Sequence, residues 1–133
     1  MVRVVADTHA LIWYLLGAPR LSATALGSLR GLATIAGAIG VPSVSIVEMV
    51  YLEEKGRIPA LALSMLQENL AQEGAALRVI PIGYEIALAV RQVPRTQVPD
   101  MPDRIIAATA LHLGAPLISR DRRIKVPGVE TIW

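Results

Sequence analysis

The sequence contains no cysteine among its 133 residues, which excludes a disulfide framework, a thiolate nucleophile and a zinc site built on thiolates. Any bound metal must therefore use oxygen or imidazole ligands. The longest stretch without a charged residue, from Gly31 to Val47, is interrupted by glycines and by Pro42, and it makes a poor membrane span. No signal-peptide pattern opens the chain. These absences predict a soluble, cytoplasmic protein.

Two common catalytic patterns are also missing. Neither G-x-x-x-x-G-K-[ST] nor G-x-S-x-G occurs, which argues against P-loop nucleotide binding and against the usual serine-hydrolase elbow. A strong net charge is absent as well, because 13 basic residues face 11 acidic ones. The segment from Arg91 to Lys125 is nevertheless basic. A basic surface beside carboxylates suits a phosphate-bearing partner, although a basic face that is merely solvated is the commoner case.

Apolar residues make up 53% of the chain, enough for one core, and the length suits a single domain spanning residues 1–133. Strand patterns alternate with helix patterns, which predicts crossover connections and parallel strands. We expect an α/β fold, a three-layer α/β/α sandwich with a mainly parallel sheet of about five strands. The predicted strands are Val2–Ala6, Ile39–Ser45, Leu77–Ile82, Pro116–Ser119 and Val129–Trp133, and the predicted helices are Thr8–Leu16, Ser22–Arg30, Ile46–Glu54, Ile58–Glu73, Tyr84–Gln92 and Asp103–Leu113.

Four acidic residues are expected at one edge of this sheet. Asp7 ends the first strand, Glu48 lies in the first turn of the helix after the second, Asp103 opens the helix after a proline-rich loop, and Asp121 follows the fourth strand. In an open parallel sheet the functional crevice lies outside the carboxyl ends of the strands, where the strand order reverses. The topology therefore predicts that four distant parts of the chain meet at one rim.

Clustered carboxylates are unfavourable unless a proton or a cation neutralises them, because like charges raise one another's pKa. Mg²⁺ and Mn²⁺ prefer oxygen ligands, and a few carboxylates plus a substrate phosphate complete their shell. With one or two such ions, the site can activate water and stabilise the leaving oxygen of a phosphodiester displacement. The acids thus indicate metal-assisted hydrolysis.

Each acid also has a structural explanation. Asp7 can cap the following helix, and Asp100 and Asp103 have the D-x-x-D spacing of a capping pair. Asp121 can be a turn residue that pairs with a neighbouring arginine. Glu48 is harder to explain in this way, because it interrupts the apolar run V-S-I-V-E-M-V-Y-L, where an unpaired charge is costly to bury. A shared cation accounts for the acids together.

Four segments, D-T-H-A-L-I-W, S-I-V-E-M, P-D-R-I-I-A-A-T-A-L and L-I-S-R-D-R-R-I, resemble motifs of PIN-domain proteins and, more narrowly, of the VapC-type toxins of prokaryotic toxin–antitoxin pairs. The resemblance covers essentially the whole chain in order. It implies a PIN-like fold and a metal-dependent endoribonuclease that hydrolyses RNA phosphodiester bonds. It also implies a homodimer and inhibition by a small cognate antitoxin whose carboxy-terminal segment covers the active groove.

The resemblance also implies roles for single residues. Asp7 and Asp103 would be direct metal ligands, Glu48 a ligand directly or through water, and Asp121 a ligand or an organiser of metal-bound water. Ser119 stands two positions before the last acid, where the family has a small hydroxyl residue, and it could bond a carboxylate or water.

Several other polar and aromatic residues lie within or near these motifs. Thr8 either orients Asp7 and the water shell or only starts the helix, and the motif favours a structural or supporting role for His9. His112 is expected on a partly exposed helix face. The arginines could contact RNA phosphates, which confers affinity without sequence choice, or balance the acids: Arg104, Arg120, Arg122 and Arg123. Three aromatic residues could stack on bases, although core or interface positions are commoner for such residues: Trp13, Tyr14 and Tyr51.

Other Mg²⁺-binding α/β classes fit less well. A phosphoacceptor signalling domain needs paired acids after the first strand and a phosphoacceptor Asp after the third, whereas this chain has only Asp7 after the first strand and no Asp near Ile82. A haloacid-dehalogenase-type phosphatase needs D-x-D where this chain has D-T-H. The strongest alternative is a non-catalytic PIN-like module that binds RNA or protein and holds a structural cation.

Overall fold

The structure, a computed structural model, describes all residues from Met1 to Trp133. No helix is both long enough and apolar enough to cross a membrane. A short 3₁₀-helix spans Val90–Gln92. The strands are β1 Val4–Ala6, β2 Ile39–Pro42, β3 Leu77–Ile80, β4 Leu117–Ile118 and β5 Thr131–Ile132, and the α-helices are α1 Thr8–Leu16, α2 Ala23–Leu32, α3 Ser43–Glu54, α4 Ala60–Ala71, α5 Tyr84–Ala89 and α6 Met101–Leu113.

All five strands form one sheet in the order β3-β2-β1-β4-β5, and every neighbouring pair is parallel. The central strand β1 pairs with β2 on one side and with β4 on the other, with Val5 opposite both Gly40 and Leu117. The strand order therefore reverses between β1 and β4, which is where a parallel sheet opens a crevice at its carboxyl edge. The predicted fold class is confirmed.

Helices cover both faces of the sheet. Successive side chains of a strand point to opposite faces, and β1 follows this rule, because Val4 and Ala6 join one buried cluster while Val5 joins the other. The first cluster is shared with α1, α2 and α4, and the second with α5 and α6. Burying each large aliphatic side chain contributes about 1.5–3 kcal/mol, so the two cores fix the strand ends firmly in space.

The centre of β2 has no room for a side chain. A Cβ atom built on Gly40 would lie 3.0 Å from Val2 Cγ1 and 3.3 Å from Ile80 Cγ1. Neighbouring side chains thus close over the glycine, and β2 continues directly through Pro42 into α3. Helix α3 packs against α1, α4 and α6, so it lies between elements of both layers.

Two helices begin earlier in the chain than the sequence predicted. Helix α3 begins at Ser43 and not at Ile46, because Pro42 ends the strand. The hydroxyl of Ser45, in the first turn of α3, forms a buried hydrogen bond with Thr8 of α1. Helix α6 begins at Met101 and not at Asp103, because the Asp100 side chain caps it. All five strands, α4 and α5 are shorter than predicted, and α2 runs from Ala23 to Leu32 and not from Ser22 to Arg30.

Candidate active site

An open cavity of about 650 Å³ lies at the carboxyl edge of the sheet, beside the β1–β4 switch point. The four predicted acids line it together, although they come from four separate parts of the chain. Its charged lining consists of five carboxylates, from Asp7, Glu48, Asp100, Asp103 and Asp121, and three guanidinium groups, from Arg20, Arg120 and Arg123.

Asp7 stands where β1 leaves the sheet. Its backbone N–H donates to the Ile118 carbonyl at 3.0 Å, which holds it against the end of β4, and its Oδ1 accepts from the Ala10 N–H at 2.9 Å, which caps α1. Burial raises the pKa of Asp7, while hydrogen bonds from the Ser119 hydroxyl and the Ala10 amide, and the nearby His9, act in the opposite direction. The Asp7 carboxylate therefore both caps α1 and lines the cavity.

Glu48 is held by two hydroxyl groups in series. Thr8 Oγ1 lies 2.6 Å from Glu48 Oε1 and 3.0 Å from the hydroxyl of the fully buried Ser45. A hydroxyl has one proton and a carboxylate only accepts, so Thr8 donates to Glu48 and the Ser45 hydroxyl donates to Thr8. This contact is neither of the two roles expected for Thr8, because the hydroxyl holds Glu48 on α3 and not Asp7, and it does more than start α1.

Asp103 is the most perturbed acid of the cavity. Burial, and after it the neighbouring charges of Asp100, Glu48, Asp7 and Asp121, together raise its pKa to about 6. It occupies the first turn of α6, where its backbone N–H donates to Asp100 Oδ2 at 3.1 Å. The D-x-x-D pair is therefore a real cap, and its second member still faces the other acids.

Asp121 is engaged by an arginine, as the turn explanation predicted. Its Oδ1 accepts from the Arg123 backbone N–H at 2.9 Å and from Arg123 Nε at 3.0 Å, and its Oδ2 accepts from Nη2 at 3.1 Å. These hydrogen bonds lower the pKa of Asp121. The buried Ser119 accepts from the Asp121 N–H at 3.1 Å and so fixes the turn that follows β4.

The donor set suits a hard divalent cation in type and in charge. All candidate ligands are carboxylates, and five of them against three guanidinium groups leave a formal excess of two negative charges. No group of three such side chains is positioned to share one ion as the side chains stand. The Glu48 carboxylate is bonded to Thr8, and that of Asp121 to Arg123. Shared ligation of one ion therefore requires the acidic side chains to reorient within the cavity.

The predicted arginines divide into two pairs. Arg120 and Arg123 line the cavity, whereas Arg104 and Arg122 do not. The Arg104 guanidinium donates to the carbonyl of Val90 at 2.9 Å and to that of Val93 at 2.9 and 3.1 Å, so it ties α6 to the end of the 3₁₀-helix. The role of all four in RNA binding stays a prediction.

Sequence reasoning missed Arg20, which lies between α1 and α2 and lines the cavity. No periodicity or motif marks this residue. The cavity also includes His9 and Trp13, one helical turn apart on the same face of α1. Both were named from the sequence, His9 in a structural or supporting role and Trp13 as a candidate for base stacking.

Comparisons with known proteins agree with this geometry. The family model for the PIN domain matches residues 4–129. The chain is 30% identical to ribonuclease VapC22 of Mycobacterium tuberculosis over 136 aligned positions, which cover 100% of both proteins.

Solved structures show the same fold at lower identity. DNA-bound VapBC from Salmonella typhimurium matches with a TM-score of 0.73 and 19% identity, covering 98% of this chain and 97% of that one. VapBC2 from Rickettsia felis, bound to a promoter DNA fragment, gives a TM-score of 0.72 and 19% identity with the same coverage. FitAcB from Neisseria gonorrhoeae gives 0.65 and 20%, covering 96% and 95%. From its fold, its four gathered acids and these matches, the chain belongs to the PIN-domain family.

Proposed function

We propose that this protein is an endoribonuclease that hydrolyses RNA phosphodiester bonds with Mg²⁺ or Mn²⁺, and that it is the toxin of a VapBC-type toxin–antitoxin pair. One observation carries the proposal: four acids from separate segments face each other at the β1–β4 switch point, and their mutual repulsion helps to raise the pKa of Asp103 to about 6. The similarity to a VapC ribonuclease over the full length supports the choice of substrate.

The residues that would hold the metal are the four acids of the cavity. We assign Asp7 and Asp103 as direct ligands, Glu48 as a ligand directly or through water, and Asp121 as a ligand or as the group that orders water. One or two divalent ions bound there would activate water and stabilise the leaving oxygen of the RNA strand.

Other groups of the chain prepare the site. Thr8, supported by Ser45, holds Glu48 in one orientation, and Ser119 holds the turn of Asp121. Guanidinium donors on the cavity wall are suited to RNA phosphate oxygens, because they bind phosphate through several N–H groups at once. Asp103 carries a proton below about pH 6, so a cation competes with that proton for the carboxylate.

The deciding test is cleavage of purified RNA with and without a chelator. The protein should cleave in Mg²⁺ or Mn²⁺, stop in EDTA, and resume when the metal is restored in excess. Sequencing the new ends in total RNA would locate the cleavage position. Cleavage that persists in EDTA would remove the metal from the mechanism.

The same assay separates the enzyme from a binding module. RNA that is retained on the protein in Mg²⁺ but stays intact would favour a PIN-like binding module with a structural cation. RNA that is neither retained nor cut would contradict both functions.

We further propose a homodimer and a small cognate antitoxin as partners, in the cytoplasm, where the RNA substrate lies. The support is the exposed apolar surface beside the acids: Val47 and Tyr51 on α3 are 55% and 59% exposed, and Met101 on α6 is 68% exposed. These residues line one groove together with Glu48, so a partner that covers it also reaches the active site.

Two measurements check the partners separately. Light scattering on the purified chain should give the mass of two copies. Co-expression with the short reading frame next to the gene should give a complex that no longer cleaves RNA. A monomer would exclude the homodimer, and cleavage unchanged in the complex would exclude inhibition by that partner.

A further inference from the structure

An aromatic cluster forms one wall of the acidic cavity. Trp13 packs edge-on against Trp133, with ring centroids 5.8 Å apart, and lies 5.7 Å from the ring of His9. Trp13 and His9 both line the cavity that holds the acids, and the indole is only partly buried. Trp133 follows β5, so α1 and the end of the sheet together hold the indole in place.

Two guanidinium groups converge on the same indole. The Cζ atoms of Arg20 and Arg120 lie 6.0 and 5.9 Å from the centroid of Trp13, within the range of a cation–π contact. The only ion pairs of the chain are His112–Glu85 and Arg123–Asp121, so neither of these arginines is paired with a carboxylate. Both also line the cavity, and their N–H donors point to no acceptor of the chain.

This combination matches the chemistry of a nucleotide. Its base offers a planar face that stacks on an aromatic ring or a guanidinium plane, and its phosphate accepts several hydrogen bonds from arginine. The two arginines also reduce the negative charge of the five carboxylates, but neither forms an ion pair with one of them, so their N–H donors stay available to a ligand.

We propose that Trp13, Arg20 and Arg120 form the subsite for a nucleotide that flanks the scissile phosphate, with the base stacked on the Trp13 wall and its phosphate bound by the two arginines. The inference rests on the proposed ribonuclease function and names the residues that receive the substrate beside the acids. Trp133 is a positioning residue, because it acts by holding Trp13.

The test measures binding of a short RNA that spans the mapped cleavage position, by fluorescence anisotropy in Mg²⁺. All variants are made in the Asp7→Asn background to prevent cleavage. Trp13→Leu keeps an apolar side chain against Trp133 but removes the stacking face, and it should weaken binding about 10-fold or more. The affinity of Trp13→Phe should stay within about 3-fold of that of the parent. Tyr84→Ala, at a residue that is 78% exposed and does not line the acidic cavity, should leave the affinity unchanged.

Abasic RNAs separate recognition from a structural role. Removing the base at one position next to the cleavage site should weaken binding by the parent protein about as much as Trp13→Leu does. In the Trp13→Leu protein the same abasic RNA should cause no further loss. Independent losses at every abasic position would overturn the subsite.

The arginines are tested by salt dependence. Arg20→Ala and Arg120→Ala should each reduce the slope of log affinity against log salt by about 0.7–1, because each removes one phosphate contact. Arg30→Ala, an exposed arginine on α2, should leave the slope unchanged. Unchanged slopes for Arg20→Ala and Arg120→Ala would contradict phosphate binding by these two arginines.

The two proposals fail in different ways. If the unmodified protein cleaves RNA while Trp13→Leu and the abasic series show no coupling, the subsite is wrong and the ribonuclease stands. If the unmodified protein neither binds nor cleaves RNA, the proposed function fails and the subsite fails with it.

Discussion

The molecule has two open cavities of the same size, about 650 Å³ each, that differ in chemistry. One lies among β3, α5 and α6, where 7 of its 12 lining residues are hydrophobic, and the other is the acidic cavity, where only 2 of 11 are. Volume therefore does not distinguish a candidate active site in this fold.

The difference lies in whether the charges are neutralised inside each cavity. In the first, Glu85 is the only acid, it lies 3.4 Å from His112 Nε2, and Arg78 also lines the cavity. In the second, burial and the surrounding acids raise the pKa of Asp103 to about 6, and no cationic side chain pairs with it. A cavity with unneutralised charge of one sign is prepared for a ligand of the opposite sign.

The largest expected effect is the loss of cleavage in Asp7→Asn. Asparagine can still cap α1 through its side-chain oxygen, so the fold should survive, while the loss of a charged ligand should slow cleavage about 1000-fold or more. The matched change in the other cavity, Glu85→Gln, should leave the rate unchanged. Circular dichroism checks that both variants fold, and equal rates would contradict the contrast between the cavities.

Thr8→Val should lower cleavage about 10- to 100-fold, because it removes the hydroxyl that fixes Glu48. Thr109 provides the control: it is equally buried, but its hydroxyl bonds only the Ile105 carbonyl within α6. Thr109→Val should therefore keep the rate. Equal losses of activity in the two variants at equal melting temperature would contradict a specific role for Thr8.

The pKa of Asp103 predicts a pH effect on stability. The pKa is about 6 in the folded chain against 3.8 for the unperturbed group, so the folded state binds more protons between these values. Its contribution to the free energy of unfolding therefore falls as pH rises through this window and stays low above it.

Asp103→Asn should remove that loss. At about pH 8, without metal, the variant should gain about 1 kcal/mol of unfolding free energy, reduced from the full linkage value by solvent screening at a partly exposed carboxylate. At about pH 4 there should be little gain. Denaturant titrations at both pH values provide the measurement, and an equal gain at both would contradict the assignment.

The smallest expected effect is that of Glu85→Gln on stability. The Glu85 side chain is 75% exposed, and an exposed ion pair contributes little, so the free energy of unfolding should change by less than about 0.5 kcal/mol. Chemical denaturation measures this directly. A change above about 1 kcal/mol would mean that the second cavity also depends on a structural charge.

The fold and the acids could be predicted because they follow from local pattern. Short apolar runs that end in Asp7 or precede Asp121 indicate strands with acids at their carboxyl ends, and parallel strands bring those ends to one edge. The predicted strands and helices all exist in the structure, with shifted bounds.

The pairing of side chains could not be predicted, because it depends on rotamers and on elements far apart in sequence. Nothing local indicates that Ser45 bonds to Thr8, 37 residues away, or that Arg104 turns from the acids to backbone carbonyls. Arg20 follows α1, and its guanidinium lies near the Trp13 ring at the cavity, a contact between residues seven positions apart that no motif indicates. These contacts are set by packing, which one sequence does not display.

The missing side chain of Gly40 links the interior of the sheet to the chemistry at its rim. Even a single methyl group there would press on Val2 and Ile80, and either those side chains or the strand would have to give by a few tenths of an ångström. That strand leads without a loop into the helix that carries Glu48, so a displacement of the strand would also move this carboxylate, eight positions along the chain. A defect in activity can therefore originate at an apolar position that touches no substrate, and a screen confined to charged residues would overlook it.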